Sequence, residues 1–209
     1  MKFAAVVPAY NEENTIANVV KVLVASPNID EVIVVSDGSE DNTAAIAAEL
    51  GATVVNLSDN RGKGGAMLAG MKQTDAEYIL FMDADLVGLN ECHIESMLAP
   101  IKNGRVDMTL GVFKNGRRST DLAQKVAPYL TGQRVLKTSL LRQVHDMDIA
   151  RFGVELALTR FMEENDIQYE TVELKDLSHV MKEEKLGLWK GFGARLKMYW
   201  EIIAYLLKN

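Results

Sequence analysis

One cysteine, Cys92, occurs in 209 residues. It cannot close an internal disulfide, so oxidative stapling is excluded and a reducing compartment is expected. There is no run of about 18 apolar residues, the length a helix needs to span a bilayer. The opening MKFAAVVPAYNEEN turns polar too soon for a secretory signal, and a cytoplasmic protein is expected. Excess positive charge is missing too: 23 Lys and Arg against 29 Asp and Glu leave a net charge of −6. Affinity for a phosphate backbone needs clustered cations, so no nucleic-acid partner is expected. Internal repeats and low-complexity linkers are lacking. Two nucleotide-binding patterns are also absent. GKGG at 62–65 has lysine after a single glycine and no Ser or Thr behind it, which disfavours a P-loop. No G-x-G-x-x-G follows the first apolar run, which argues against a dinucleotide enzyme.

What is there is ordinary globular composition, 48% apolar and 25% charged, in a length suited to one α/β domain with a substantial core. Residues 2–8 read as a buried strand ending in Pro8. Asn11 can cap a following helix that carries Ile16, Val19, Val20 and Leu23 at helical spacing. EVIVV (31–35) reads as a strand, Thr43 to Leu50 as a helix closed by Gly51, and ATVVNL (52–57) as a strand. The loop SDNRGKGG leads to a helix over about 64–73, and EYILFM (77–82) is a fourth strand. Strict alternation implies an α/β fold with a mostly parallel sheet flanked by crossover helices. The polar loops follow Val7, Val35, Leu57 and Met82, at the strand ends where ligands collect in such sheets.

Beyond residue 90 the pattern is less regular. A helix is expected over 94–101, a strand over 107–113, a loop over 114–120 and mainly helix over 121–143, broken near Pro128. An amphipathic helix (153–164), a strand (167–174) and one long helical pattern (183–207) follow. A single domain, 1–209, is the simplest division, with a regular half (1–90) and an irregular half (91–209).

Asp83-Ala84-Asp85 sets two carboxylates just past a buried strand. A divalent cation relieves both their repulsion and their poor hydration, and hard oxygen ligands suit Mn²⁺ or Mg²⁺. Capping of the following loop is the plainer alternative. Pro8 and Ala9 can lie against a nucleobase. Glu12 can accept from ribose hydroxyls or simply support a helix N-terminus. Asp37 can accept from a base N–H or, with Asp41, serve only its turn. Lys63, between Gly62 and Gly64, is a mobile cation suited to base or phosphate, or else a solvated one. The glycines permit close backbone approach.

VVPAYNEE, SDGSEDNT, NRGKGGAM and MDADL, in this order and at these spacings, resemble the GT-A glycosyltransferases of the family-2 type. The resemblance is strong over residues 3 to about 90 and weaker beyond. It implies a GT-A (Rossmann-like) fold and transfer of a sugar from a nucleoside diphosphate. It implies a nucleotide-sugar site of Pro8, Ala9, Asn11, Glu12, Asp37, Gly62, Lys63, Asp83 and Ala84. Asp83 would lie near ribose and metal, and Asp85 would be the direct metal ligand bridging the diphosphate. The half 1–90 would thus bind the donor and 91–209 the acceptor.

TGQR (131–134), read as leading into a helix, and FGVELAL (152–158) resemble segments of the relatives of glucosyl-3-phosphoglycerate synthase. By that resemblance His179 falls where those enzymes place a metal-binding histidine; without it, a surface-loop histidine is the reading. Gly132, Gln133 and Arg134 would shape the acceptor side. The Arg134 guanidinium matches phosphate oxygens bidentately, and Gln133 can donate to acceptor oxygens; capping and surface charge are the alternative. Glu155 is suited to general-base work or to positioning the acceptor, the latter preferred. Asp85, Arg134 and Glu155 are the residues set nearest the chemistry. Asp146 and Asp148 are weaker bases, Arg117 and Arg118 a basic spot, and His93 and His145 have no assigned role.

Leu186, Trp189, Phe192, Leu196, Tyr199, Ile203 and Leu207 form one apolar stripe in the last helical pattern, where six basic residues from 182 on outnumber three acidic ones. Such a helix can touch an anionic membrane at its inner face, form a homodimer contact or pack on the sheet; packing is preferred. The expected activity is metal-dependent transfer of a hexose from a nucleoside-diphosphate sugar, with uracil the expected base. The acceptor would be a small phosphorylated or polyprenyl-phosphate (lipid) molecule. One alternative is a nucleotidyltransferase, which usually carries a glycine-rich basic loop where this chain has PAYNEEN. The other is a catalytically silent sugar-nucleotide-binding scaffold, which intact Lys63, Asp83 and Asp85 oppose.

Overall fold

Strand β1 (Phe3–Ala9) is buried along nearly its whole length because it has a parallel partner on each side. Val6 stands between Ile33 of β2 (Glu31–Asp37) and Phe81 of β4 (Tyr78–Phe81). A strand covered on both faces reads as a continuous apolar run, as FAAVVPA does. The structure, a computed structural model, describes residues 1–114, 131–143, 157–158, 161–162 and 164–180. The chain divides into two compact units, Met1–Ser178 and His179–Asn209, and the elements below belong to the first unless stated.

Helix α1 (Ile16–Ala25) follows β1, α2 (Thr43–Glu49) follows β2, and β3 (Thr53–Leu57) leads to α3 (Gly62–Met71) and then β4. After the two-residue strand β5 (Leu86–Val87) come α4 (Glu91–Lys102), β6 (Met108–Lys114), β7 (Arg134–Lys137), α5 (Thr138–Leu141) and β8 (Tyr169–Lys175). Strand β9 (Ser178–His179) falls at the boundary between the units. The main sheet has seven strands in the order β3-β2-β1-β4-β7-β6-β8. All neighbours are parallel except β7, which runs antiparallel to both β4 and β6. The expected mostly parallel α/β sheet is therefore present.

The side chains of β1 alternate between two cores. Phe3, Ala5, Val7 and Ala9 meet the apolar faces of α1 and α4, including Ile16, Val19, Val20, Leu23, Ile94, Met97 and Leu98. Val6 faces the other layer with Ala66, Met67 and Met71 of α3, and Leu158 and Met162 join that layer. Each fully buried branched side chain of α1 contributes about 1.5–3 kcal/mol. Gly70 marks the closest approach of α3: a Cβ there would overlap Val6 and lie 3.1 Å from Val35 Cγ2. Gly70→Val is therefore expected to lower stability by about 1–3 kcal/mol through overpacking. Urea titration followed by circular dichroism measures this, and a parent-like midpoint would refute it.

Three expectations are corrected. Asn11 does not cap α1, which begins at Ile16 with Thr15 at the cap position. Asn11 instead takes a left-handed backbone (φ 54°), which asparagine tolerates better than most residues. The helix expected from about residue 64 begins two residues earlier, so Gly62 and Lys63 belong to the first turn of α3 rather than to the loop. Arg134–Lys137 is strand rather than helix, so TGQR leads into β7. RVLK carries little local preference, and the open backbone groups of β4 and β6 decide its state by pairing. The segments 121–130 and 183–207 lie outside the described residues. Among the described residues, no helix is long and apolar enough to cross a membrane.

Candidate functional site

The loops after β1 and β2 are fastened together. The Asn11 N–H donates to Ser39 Oγ (3.1 Å), and the Glu40 N–H donates to Asn11 Oδ1 (2.9 Å). The Glu12 N–H donates to Thr43 Oγ1 (2.7 Å), and the Glu13 N–H to Asp41 Oδ2 (3.1 Å). The left-handed turn at Asn11 lets three successive residues, Asn11, Glu12 and Glu13, face the second loop. The Thr15 hydroxyl donates to Glu12 Oε2 (2.8 Å), so Glu12 does bond at the start of α1.

Asp41 is the hub of this fastening. Burial pushes its carboxyl up, but hydrogen bonds from Thr43 and Glu13 outweigh that and hold it below its ordinary value of 3.8. A depressed folded-state pKa adds stability at pH above the unfolded value, and that stability is lost as pH falls through the folded value. Asp41→Asn is thus expected to reduce stability at pH 7, with the gap to the parent closing below pH 3.8. Melting curves of both proteins over an acid series test this; a gap that stays constant with pH would refute it.

Asp37 is 3% exposed at the end of β2, and its Oδ1 accepts the Arg61 N–H at 2.7 Å. This ties the second loop to the third. Gly38 (φ 69°) has no room for a side chain, because a Cβ would lie 2.7 Å from Asn60 N. Pro8 is half-buried and Ala9 buried where β1 ends, in register with Val35 and Ser36. Tyr10 beyond them is 48% exposed.

The densest polar junction lies at the end of β4. Lys63 is no solvated cation: its side chain is only 25% exposed and its Nζ lies 2.6 Å from Asp83 Oδ1. Gln133 Nε2 donates to Asp83 Oδ2 at 2.8 Å, and the Thr131 hydroxyl lies 2.8 Å from Gln133 Oε1. Register explains this meeting. β4 and β7 are antiparallel with Phe81 opposite Arg134, so running two residues further brings Asp83 opposite Gly132. A Cβ on Gly132 would lie 2.5 Å from both Asp83 Oδ1 and Lys63 Nζ. Gly62, Ala84 and Gly132 are buried, whereas Asp83 and Asp85 are half-buried.

Arg134 is not surface charge. It is fully buried, and its Nη2 donates to the Thr131 carbonyl at 2.6 Å. Gln133, also fully buried, directs its amide at Asp83. His93 caps α4: its Nδ1 accepts the Asn90 N–H, and its Nε2 lies 2.8 Å from the Lys175 carbonyl. His179, the first residue of the second unit, is half-buried. Glu155, Arg117, Arg118, His145, Asp146 and Asp148 lie outside the described residues. Thr131, within TGQR, carries no sequence signal of its own; its partners Gly111 and Gln133 come to it only through the pairing of β6 and β7.

A family model described as glycosyl transferase family 2 matches residues 4–157. Dolichyl-phosphate beta-glucosyltransferase of Drosophila melanogaster is 40% identical over 101 residues, covering 41% of this chain and 31% of that protein. The 4,4'-diaponeurosporenoate glycosyltransferase of Staphylococcus haemolyticus is 37% identical over 101 residues, with 46% and 27% covered. The chain thus spans less than a third of the length of these curated relatives. Among solved structures, glucosyl-3-phosphoglycerate synthase from Mycobacterium tuberculosis with Mn²⁺, UDP-glucose and phosphoglyceric acid superposes with a TM-score of 0.78. The match is 24% identical and covers 99% of this chain and 79% of that one. The same enzyme with Mg²⁺ and UDP gives a TM-score of 0.72 at 24% identity, over 86% and 71%. At that identity the likeness is one of fold.

Proposed function

Because the chain belongs to glycosyl transferase family 2, we propose that it transfers a hexose from a UDP-sugar to a small phosphorylated or polyprenyl-phosphate acceptor. The observation that carries this reading is the braced Asp83 carboxylate, held by Lys63 and Gln133 at the end of β4. The fastened loops of β1, β2 and β3 end on the same side of the sheet, the side where α/β sheets bind ligands.

In this reading Pro8 and Ala9 pack against the base, Asp37 accepts a base N–H, and Asn11 and Glu12 serve the ribose. Lys63, Gly62, Asp83 and Ala84 line the path of the diphosphate. A lysine ion-paired to one carboxylate still contributes positive potential to a dianionic leaving group. Asp85 would hold a divalent cation, with His179 as the ligand the resemblance implies; a carboxylate oxygen and an imidazole nitrogen are donors that suit Mn²⁺ or Mg²⁺. The bound cation would neutralise charge on the departing nucleoside diphosphate. Gly132, Gln133, Arg134 and Glu155 would belong to the acceptor side. UDP-glucose and phosphoglyceric acid in the neighbouring structure, and dolichyl phosphate in the name of the Drosophila relative, support these substrate classes.

Thermal-shift screening with UDP-glucose, other nucleotide sugars and Mn²⁺ tests the reading, since a ligand that binds the folded state raises apparent stability. A metal-dependent upward shift is expected with one of them. UDP release on adding 3-phosphoglycerate or a polyprenyl phosphate is then expected. No shift with any sugar nucleotide would sink the proposal. Pyrophosphate-dependent turnover would point to a nucleotidyltransferase, and binding with neither transfer nor slow hydrolysis to a scaffold.

A further inference from the structure

We infer that Thr131 is a positioning residue that acts through Gln133 on Asp83; its bearing on donor binding rests on the functional reading above. An ionised carboxylate only accepts hydrogen bonds, so the Gln133 amide must present Nε2 to Asp83, as the 2.8 Å contact to Oδ2 has it. That orientation turns Gln133 Oε1 away from Asp83, on a side chain that is fully buried. A buried amide oxygen needs a donor, and the Thr131 hydroxyl, 2.8 Å away, shares its one proton between Gln133 Oε1 and the Gly111 carbonyl at 2.5 Å. Thr131 therefore selects which end of the amide Asp83 meets. Flipping the amide would set an oxygen against a carboxylate oxygen.

Thr131 is itself pinned at both its hydroxyl and its carbonyl. It is 1% exposed, its hydroxyl lies 2.5 Å from the Gly111 carbonyl on β6, and Arg134 Nη2 donates to its carbonyl at 2.6 Å. The Gly111 N–H returns a bond to the Gln133 carbonyl at 2.9 Å. Gly111 has no room for a side chain, since a Cβ would lie 2.6 Å from Leu174 Cδ1 and 3.1 Å from Gln133 Cβ. The backbone of β6 thus sets Thr131, Thr131 sets the Gln133 amide, and the amide holds one oxygen of Asp83 while Lys63 holds the other. The chain of contacts joins residues 111, 131, 133, 83 and 63, drawn from four separate stretches of sequence.

The test is a double-mutant cycle read by titration of UDP-glucose with Mn²⁺. Thr131→Val keeps the shape and removes the donor; it is expected to weaken donor binding about tenfold, the scale of losing a hydrogen bond to a charged group. Thr131→Ser is expected to restore it to within about twofold, because the hydroxyl returns. In a Gln133→Met background, Thr131→Val is expected to change donor affinity no further, since coupled residues are not additive. Additive losses, or a serine variant as weak as the valine one, would overturn the relay. A readout independent of donor is the Gln133 side-chain amide in ¹⁵N–¹H spectra of the ligand-free protein. Its resonances are expected to shift in Thr131→Val and stay in place in Thr131→Ser; unmoved resonances in Thr131→Val would likewise overturn the relay. If the parent bound no sugar nucleotide, the functional reading would fall, while the amide resonances would still decide the relay.

Discussion

Asp85→Ala is expected to remove metal-dependent turnover almost completely, by about a thousandfold, as losses of a principal charge-stabilising group do. The fold should survive. Asp85 is half-buried, lies outside both apolar cores and follows the last residue of β4 by four positions. Stability should stay within about 0.5 kcal/mol of the parent, the usual range for a side chain outside the core. Manganese-dependent release of UDP, with circular dichroism as the control, measures both. Unchanged manganese-dependent affinity for the sugar nucleotide would remove Asp85 from the metal shell. His179→Ala is expected to weaken manganese binding less, since a carboxylate carries charge that a neutral imidazole does not.

Gly132→Ala is expected to give the next largest loss, roughly 10–100-fold in donor turnover, from misplacing a group by a fraction of an ångström or more. The added methyl would sit 2.5 Å from Asp83 Oδ1 and from Lys63 Nζ, and closer still to Oδ2. Lys63 can swing aside because its side chain is long. Asp83 cannot move as cheaply, because it is short and tied to Gln133. Stability should fall by about 1–3 kcal/mol. Parent-like turnover in Gly132→Ala would show that the packing around Asp83 is slack.

The first four strands were legible because their information is local. FAAVVPA and YILF are apolar runs of strand length, and Ile16, Val19, Val20 and Leu23 keep helical spacing. The polar loops at their ends were legible for the same reason. What was not legible depends on partners far away. Arg134–Lys137 becomes strand through β4 and β6, not through its own residues. Lys63 reads as a cation for base or phosphate, and nothing local tells that a carboxylate 20 positions on meets it at 2.6 Å. The bond from the Gln133 amide to Asp83 leaves no local trace either, because 50 positions separate the two residues. Asn11 reads as a helix cap because a left-handed turn that joins two loops leaves no periodic trace.

The insertion of β7 between β4 and β6 has a consequence for synthesis. The crossovers among β1, β2, β3 and β4 are short-range and can close as soon as the first 82 residues have left the ribosome. The far edge of β4, whose four residues are all buried in the finished molecule, then stays uncovered until residue 134 is made. A bare apolar edge is a template for pairing with other chains. Between the translation of Phe81 and that of Arg134, a nascent polypeptide of this kind therefore presents an unpaired strand edge to its neighbours.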